Sequence, residues 1–101
     1  VELFYKYLIR EECNVFLHDP FVSIWSEMNE EISNDLSCLE NDLDIVVIST
    51  GHSFYKSNEF IKILERKKEL FILDTVGLLS EEDINKLSTI HKIKVLGRGD
   101  L

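Results

Sequence analysis

The residues of this chain best suited to hold a ligand gather where apolar runs stop. Phe16-Leu17-His18 runs into Asp19-Pro20, Ile45-Val46-Val47-Ile48 into Ser49-Thr50-Gly51-His52, and Leu70-Phe71-Ile72-Leu73 into Asp74-Thr75. Two carboxylates and two or three hydroxyls at the ends of neighbouring parallel strands would line one edge of a sheet, where the ligands of such sheets collect. His52, on a loop after Gly51, is placed to donate to a ligand phosphate or hydroxyl. A plainer use stays open for each: Asp and Thr cap the following turns or helices, and a loop histidine is satisfied within the chain. His18 is expected to pack at its strand end, and His91 to sit at a helix C-terminus, where a cation is favoured.

Several chemistries are excluded. An aspartyl-phosphate mechanism on Asp74 needs a second Asp two residues later, and Val76 stands there. Gly97-Arg98-Gly99 has no helix behind it and so makes no dinucleotide fingerprint. Cys13 and Cys38 form no C-x-x-C pair and have no His at metal spacing, which predicts buried thiols in a reducing compartment and no metal site. The net charge of −8 argues against a nucleic-acid partner, which requires a Lys/Arg stripe. Arg66-Lys67-Lys68 reads as cations near a helix C-terminus. Anionic small ligands stay open, because a cleft can be locally positive on an acidic surface. No stretch approaches the roughly 20 apolar residues of a membrane span and no leader pattern is present, so a cytoplasmic protein is expected. With 101 residues, 45% of them hydrophobic, the chain is expected to form a single domain, 1–101. Its first residues, Val rather than Met and already inside an apolar pattern, suggest a piece of something longer.

The elements that must position these residues follow from periodicity. Apolar residues at 1, 3, 4, 5, 7, 8 and 9 predict a helix already under way, to about Glu11. Residues 13–18 predict a strand, stopped by Asp19-Pro20. Residues 21–29, with Trp25 and Met28, suit a short helix or a loop, and 30–33 a short extended piece. Asn34 or Asp35 would cap a helix to about Asn41, with Leu36, Leu39 and Leu43 inward. The unalternated run Ile45-Val46-Val47-Ile48 reads as a parallel strand covered on both faces. Ser57 or Asn58 caps a helix with Phe60, Ile61, Ile63 and Leu64 inside. Residues 70–73 form the next strand. Ser80-Glu81-Glu82-Asp83 has capping-box form and opens a helix with Ile84, Leu87 and Ile90 inward. Residues 93–96 form the last strand, followed by a turn. Alternating strands and helices predict an α/β domain with a mostly parallel sheet and right-handed crossovers.

In order and spacing these segments resemble the C-terminal domain of the UDP-glucose/GDP-mannose dehydrogenase family, over nearly the whole chain. Residues 16–22 resemble that family's strand ending in Asp-Pro-x-Val. Residues 44–55 resemble its hydrophobic strand followed by Thr-x-His and an aromatic residue. Phe71-Ile72-Leu73-Asp74 and Leu96-Gly97-Arg98-Gly99 resemble its last two strands. The Gly51-His52-Ser53 and Gly97-Arg98-Gly99-Asp100 forms look most like members that oxidise N-acetylated hexosamine nucleotides. The resemblance implies a three-layer, Rossmann-like sheet with helices on both faces. It implies NAD-dependent, two-step oxidation of a UDP-(N-acetyl)hexosamine at C6 to the uronic acid, as in polysaccharide biosynthesis. In such enzymes an N-terminal domain binds NAD, a central helical domain carries the catalytic Cys and the dimer interface, and the C-terminal domain closes over the UDP end. This chain would then be the last of these, inactive alone. Its partners would be a UDP-sugar, preceding domains of the same polypeptide and further copies in a homo-oligomer. The expected nucleotide contacts are Thr50, Gly51, His52, Asp74, Thr75, Gly97 and Arg98. No catalytic residue is carried over, since neither Cys13 nor Cys38 has the Gly-rich context of the catalytic Cys.

One departure bears on function. The family commonly has Asp-x-Arg-Asn after the penultimate strand, and this chain has Asp74-Thr75-Val76-Gly77. The missing guanidinium is a charge-assisted contact of about 1.5–3 kcal/mol. It leaves Arg98 or another chain to supply the charge, and it motivates an alternative in which the domain is a degenerate copy kept for assembly or regulation. In a doubly wound sheet the first strand sits in the middle. The resemblance puts that strand before Val1, so strands 13–18 and 44–49 are expected to flank a neighbour supplied by a preceding part of the polypeptide or by a partner chain. The stretch by itself would then be marginal. The order 44–49, 70–73, 93–96 is expected in either case.

Overall fold

The computed structural model describes residues 2–20, 24–25, 30–34 and 36–97. They belong to two compact units, Val1–Asn41 and Asp42–Leu101.

The second unit is built on β3 (Ile45–Ile48), α2 (Asn58–Arg66), β4 (Phe71–Asp74), α3 (Glu81–Leu87) and β5 (Lys92–Val95). The three strands form a parallel sheet in the order β3-β4-β5, as predicted. Register aligns Ile48 with Asp74 and Asp74 with Val95, so the carboxyl ends of the strands are level. Both connections are single helices capped by serines. Ser57 Oγ accepts the Phe60 N–H at 3.3 Å and Ser80 Oγ accepts the Asp83 N–H at 3.1 Å, each cap being worth about 1 kcal/mol. Glu81, Glu82 and Asp83 in the first turn of α3 complement the helix dipole.

Burial alternates along every strand of this sheet. Val46, Ile48, Ile72, Asp74, Ile93 and Val95 are buried, while Ile45, Lys92 and Lys94 are exposed and Val47, Phe71 and Leu73 half-buried. α2 and α3 pack on each other and α3 on β5. Both helices bury their apolar residues, Phe60, Ile61 and Leu64 in α2 and Ile84 and Leu87 in α3. The sheet has one buried face, so the two crossovers lie on it together. The even, two-sided burial expected of the run 45–48 is therefore not found in β3, and among the described residues of this unit the α-helices are α2 and α3; the three-strand parallel sheet is that of a small Rossmann-like α/β fold, as expected. The outer edge carries Lys92 and Lys94, a common guard against edge-to-edge pairing. Ile90, expected inside α3, lies past its end and is 41% exposed.

The first unit holds α1 (Glu2–Arg10), β1 (Ile24–Trp25), β2 (Glu30–Glu31) and a 3-10 turn, Leu36–Glu40. α1 stops at Glu12, whose φ of 62° is left-handed. The Cys13 N–H donates to Leu8 and the Glu12 N–H to Ile9, the paired bonds of a Schellman ending. β1 and β2 pair antiparallel, and Tyr5 packs on Trp25 with ring centroids 5.2 Å apart. Residues 21–23, 26–29 and 35 lie outside the described residues, and with them most of the expected helix or loop at 21–29 and one of the two expected caps. Leu36 and Leu39 are buried in the 3-10 turn where a helix was predicted. The expected strand at 13–18 is not formed. Its residues make one isolated parallel bridge, His18 with Ser33, since a strand exists only where a neighbour takes up its backbone groups. Of the two thiols expected to be buried, Cys13 is exposed and Cys38 half-buried.

Candidate functional site

The level carboxyl ends of β3, β4 and β5 bring residues 49–52, 75–77 and 96–97 to one edge of the second unit. Ser49, Thr50 and Gly51 are exposed there, and His52 is half-buried. His52 is held from behind: its ring meets the edge of Tyr55 at 6.1 Å, and Tyr55, buried, meets Phe60 of α2 at 5.2 Å. The Tyr55 N–H donates to the His52 carbonyl at 3.0 Å, closing the 3-10 turn Ser53–Lys56. An aromatic ladder thus ties the loop after β3 to the helix that follows it. Tyr55 was legible only as an aromatic three residues after His52; its supporting role needed Phe60 beside it.

At the end of β4 the two polar residues chosen from sequence are turned inward. Asp74 is fully buried. Its Oδ1 accepts the Val76 N–H at 3.2 Å and its Oδ2 accepts the Leu79 N–H at 2.9 Å. Burying a carboxylate is costly unless its charge is met by hydrogen bonds, and these two charge-assisted bonds meet it. Thr75 sends both its N–H, at 3.0 Å, and its hydroxyl, at 2.8 Å, to the Ile48 carbonyl on β3. On the other side, the Leu96 N–H donates to the Asp74 carbonyl at 2.9 Å. The Asp74-Thr75 pair therefore knots the ends of all three strands. What it leaves outward is Val76, 46% exposed, and Gly77, whose φ of 70° requires glycine.

Gly97 follows β5 with a left-handed φ of 87°. Arg98, expected to supply positive charge, lies outside the described residues. Asp19 belongs to the first unit, where its N–H donates to the Ser33 carbonyl at 2.9 Å. Residues 49–52, 75–77 and 96–97 include no Lys or Arg. What this edge offers a polar ligand is the hydroxyls of Ser49 and Thr50, the imidazole of His52, and main chain at Gly51 and Gly77. Among the described residues no group of three His, Cys, Asp or Glu side chains is placed to hold a metal ion. None of their helices is long and apolar enough to cross a membrane.

A family model described as the UDP-glucose/GDP-mannose dehydrogenase family, UDP binding domain, matches residues 2–81, well over half of the chain. The chain belongs to this family. The match is to the UDP-binding domain of these nucleotide-sugar dehydrogenases, and the parallel α/β sheet agrees with that assignment. Comparison with curated proteins and with solved structures found no match. The matched span takes in both loops of the candidate edge, after β3 and after β4, and stops at the start of α3, so Gly97 and Arg98 lie beyond it. Val76 stands exposed at the position where the resemblance in sequence led us to expect an arginine.

His91 lies just past the end of α3, as expected, its N–H donating to the Leu87 carbonyl at 2.8 Å. It is 4% exposed, with Nδ1 accepting the Leu70 N–H at 3.0 Å and Nε2 donating to the Leu64 carbonyl at 2.6 Å. A backbone N–H can only donate, so Nδ1 carries no proton and the ring is neutral with its proton on Nε2. Its ring is a buried clamp between α2 and β4, at the opposite edge of the sheet from the candidate site.

Proposed function

We propose that the chain closes over the nucleotide end of a UDP-(N-acetyl)hexosamine in an NAD-dependent 6-dehydrogenase that makes the corresponding uronic acid. The observation that carries this reading is the alignment of the loops after β3 and β4, both inside the span that matches the UDP-binding family, on one edge of a parallel sheet. Thr50, Gly51 and His52 provide a hydroxyl, an approachable backbone and a ring donor for the nucleotide. Thr75 and Asp74 hold the neighbouring loop, Gly97 ends the edge after β5, and Arg98, next along the chain, is the residue proposed as the cation for the diphosphate.

NAD would supply the hydride acceptor of that oxidation, but the described strand ends do not fit it. The loops after β3 and β4 carry one glycine each, Gly51 and Gly77, and not the Gly-rich strand-to-helix turn that receives a pyrophosphate. NAD and the catalytic Cys are assigned to preceding domains of a homo-oligomeric parent, and the chain by itself should reduce no NAD with a UDP-sugar.

The test is titration of the 15N-labelled chain with UDP and with UDP-N-acetylglucosamine. Saturable amide shifts are expected at residues 50–52, 75–77 and 97. Shifts confined to the opposite edge, around Leu70 and Lys92, or turnover by the isolated chain, would sink the proposal.

A further inference from the structure

We infer that Asp74 is the positioning residue of the nucleotide edge: it does not touch the ligand, and it sets the loop 75–79 so that Val76 and Gly77 face it. The inference rests on the nucleotide-binding reading above and specifies how one corner of that site is made.

Three observations carry it. Asp74 has no exposed surface, so no ligand atom reaches its carboxylate while the loop is in place. Both oxygens are spent on loop amides two and five residues ahead, Val76 and Leu79. Between those two anchors Gly77 takes a left-handed φ of 70°, and a Cβ built on it would meet nothing within 4 Å, so its outer side is open. Pinned at 76 and 79, the loop turns at Gly77, with Leu78 and Leu79 buried beneath it and Val76 and Gly77 outward. A carboxylate suits this place because it accepts at both oxygens. An amide of the same shape accepts at only one, and its NH2 group would oppose the other N–H.

A consequence for recognition follows from what the loop presents. Its outward groups are an aliphatic side chain and bare main chain, so this corner meets an uncharged part of the ligand, the base or the ribose, and leaves the diphosphate to other residues.

The experiment compares the unaltered chain with Asp74→Asn. Hydrogen exchange on the unaltered chain comes first and needs no variant to fold. The Leu79 amide should be protected at least tenfold over an open loop, and exchange at the open-loop rate would overturn the inference. In D74N that protection should fall at least tenfold while the Leu96 amide, bonded to the Asp74 carbonyl, stays protected, which shows that the sheet is intact. On titration with uridine and with UDP, the unaltered chain should show saturable shifts at Val76 and Gly77 with both ligands. D74N should lose those two shifts, keep those at residues 50–52, and bind UDP about tenfold more weakly. Unchanged affinity and unchanged shifts in D74N would overturn the inference, as would shifts at Val76 and Gly77 with UDP but not with uridine. If the unaltered chain gives no saturable shift at any strand end, the nucleotide reading falls first and the inference with it; the unaltered chain's titration separates the two failures.

Discussion

The two ends of the β3–β5 sheet are closed by buried polar side chains, Asp74 at one and His91 at the other, and the devices differ in a way that follows from their chemistry. At the carboxyl end a carboxylate, which only accepts, gathers two N–H groups of one loop. At the amino end a neutral imidazole, which accepts on one nitrogen and donates on the other, joins the last turn of α2 to the entry of β4. The imidazole bridges two elements and leaves nothing outward. The carboxylate organises a single loop and turns two residues of it toward solvent. One end is thereby a joint and the other a platform, and in a parallel α/β sheet the platform is where ligands lie.

The largest effect should come from breaking the platform. Asp74→Ala removes two charge-assisted bonds worth about 1.5–3 kcal/mol each and leaves the buried Leu79 N–H orphaned. Relief of the carboxylate's desolvation offsets part of this. A net loss of about 3 kcal/mol is expected in chemical denaturation, and a loss under 1 kcal/mol would mean that the carboxylate bonds contribute little. His91→Phe keeps the ring but orphans the Leu70 N–H and the Leu64 carbonyl, and should cost about 2 kcal/mol. It sharpens the comparison, because UDP-induced shifts at residues 50–52 should be unchanged in it; their loss would show that the joint also shapes the site.

Thr75→Val should cost about 1 kcal/mol, the value of one hydroxyl bond to Ile48, while the backbone bond to the same carbonyl remains. Gly51→Ala is the smallest change in stability. The residue lacks a left-handed φ and a Cβ there would meet nothing within 4 Å, so stability should be unchanged or higher by about 0.4–1 kcal/mol through the unfolded chain. If a ligand's approach is what Gly51 permits, UDP affinity should fall nonetheless, and equal affinity would remove Gly51 from the contact set.

Legibility in the sequence tracked the range over which each feature is decided. Ser57 and Ser80 were readable as caps because the bond each makes is three residues away. β3 and β4 were readable because each holds an apolar run bounded by polar residues, β5 was expected one residue later, at 93–96, and the order followed from short crossovers between neighbours. The segment 13–18 also holds an apolar run, Val15-Phe16-Leu17, and forms no strand, because an apolar run cannot supply a pairing partner. Of the candidate site, the positions along the edge were readable at 50–52 and 74–75. The direction of the Asp74 side chain was not.

The amino-acid sequence by itself determined the alternation of strands and helices, the helix starts, the strand ends that meet on one edge, and the family. These depend on periodicity, on caps and on motifs a few residues long. Tertiary structure alone decided that Asp74 faces inward to Val76 and Leu79, that Thr75 bonds back across 27 residues to Ile48, and that His91 joins Leu64 to Leu70 across 27 and 21. A buried polar group must find its partner wherever packing brings one, and that partner's place along the chain is set by how the sheet and helices stack.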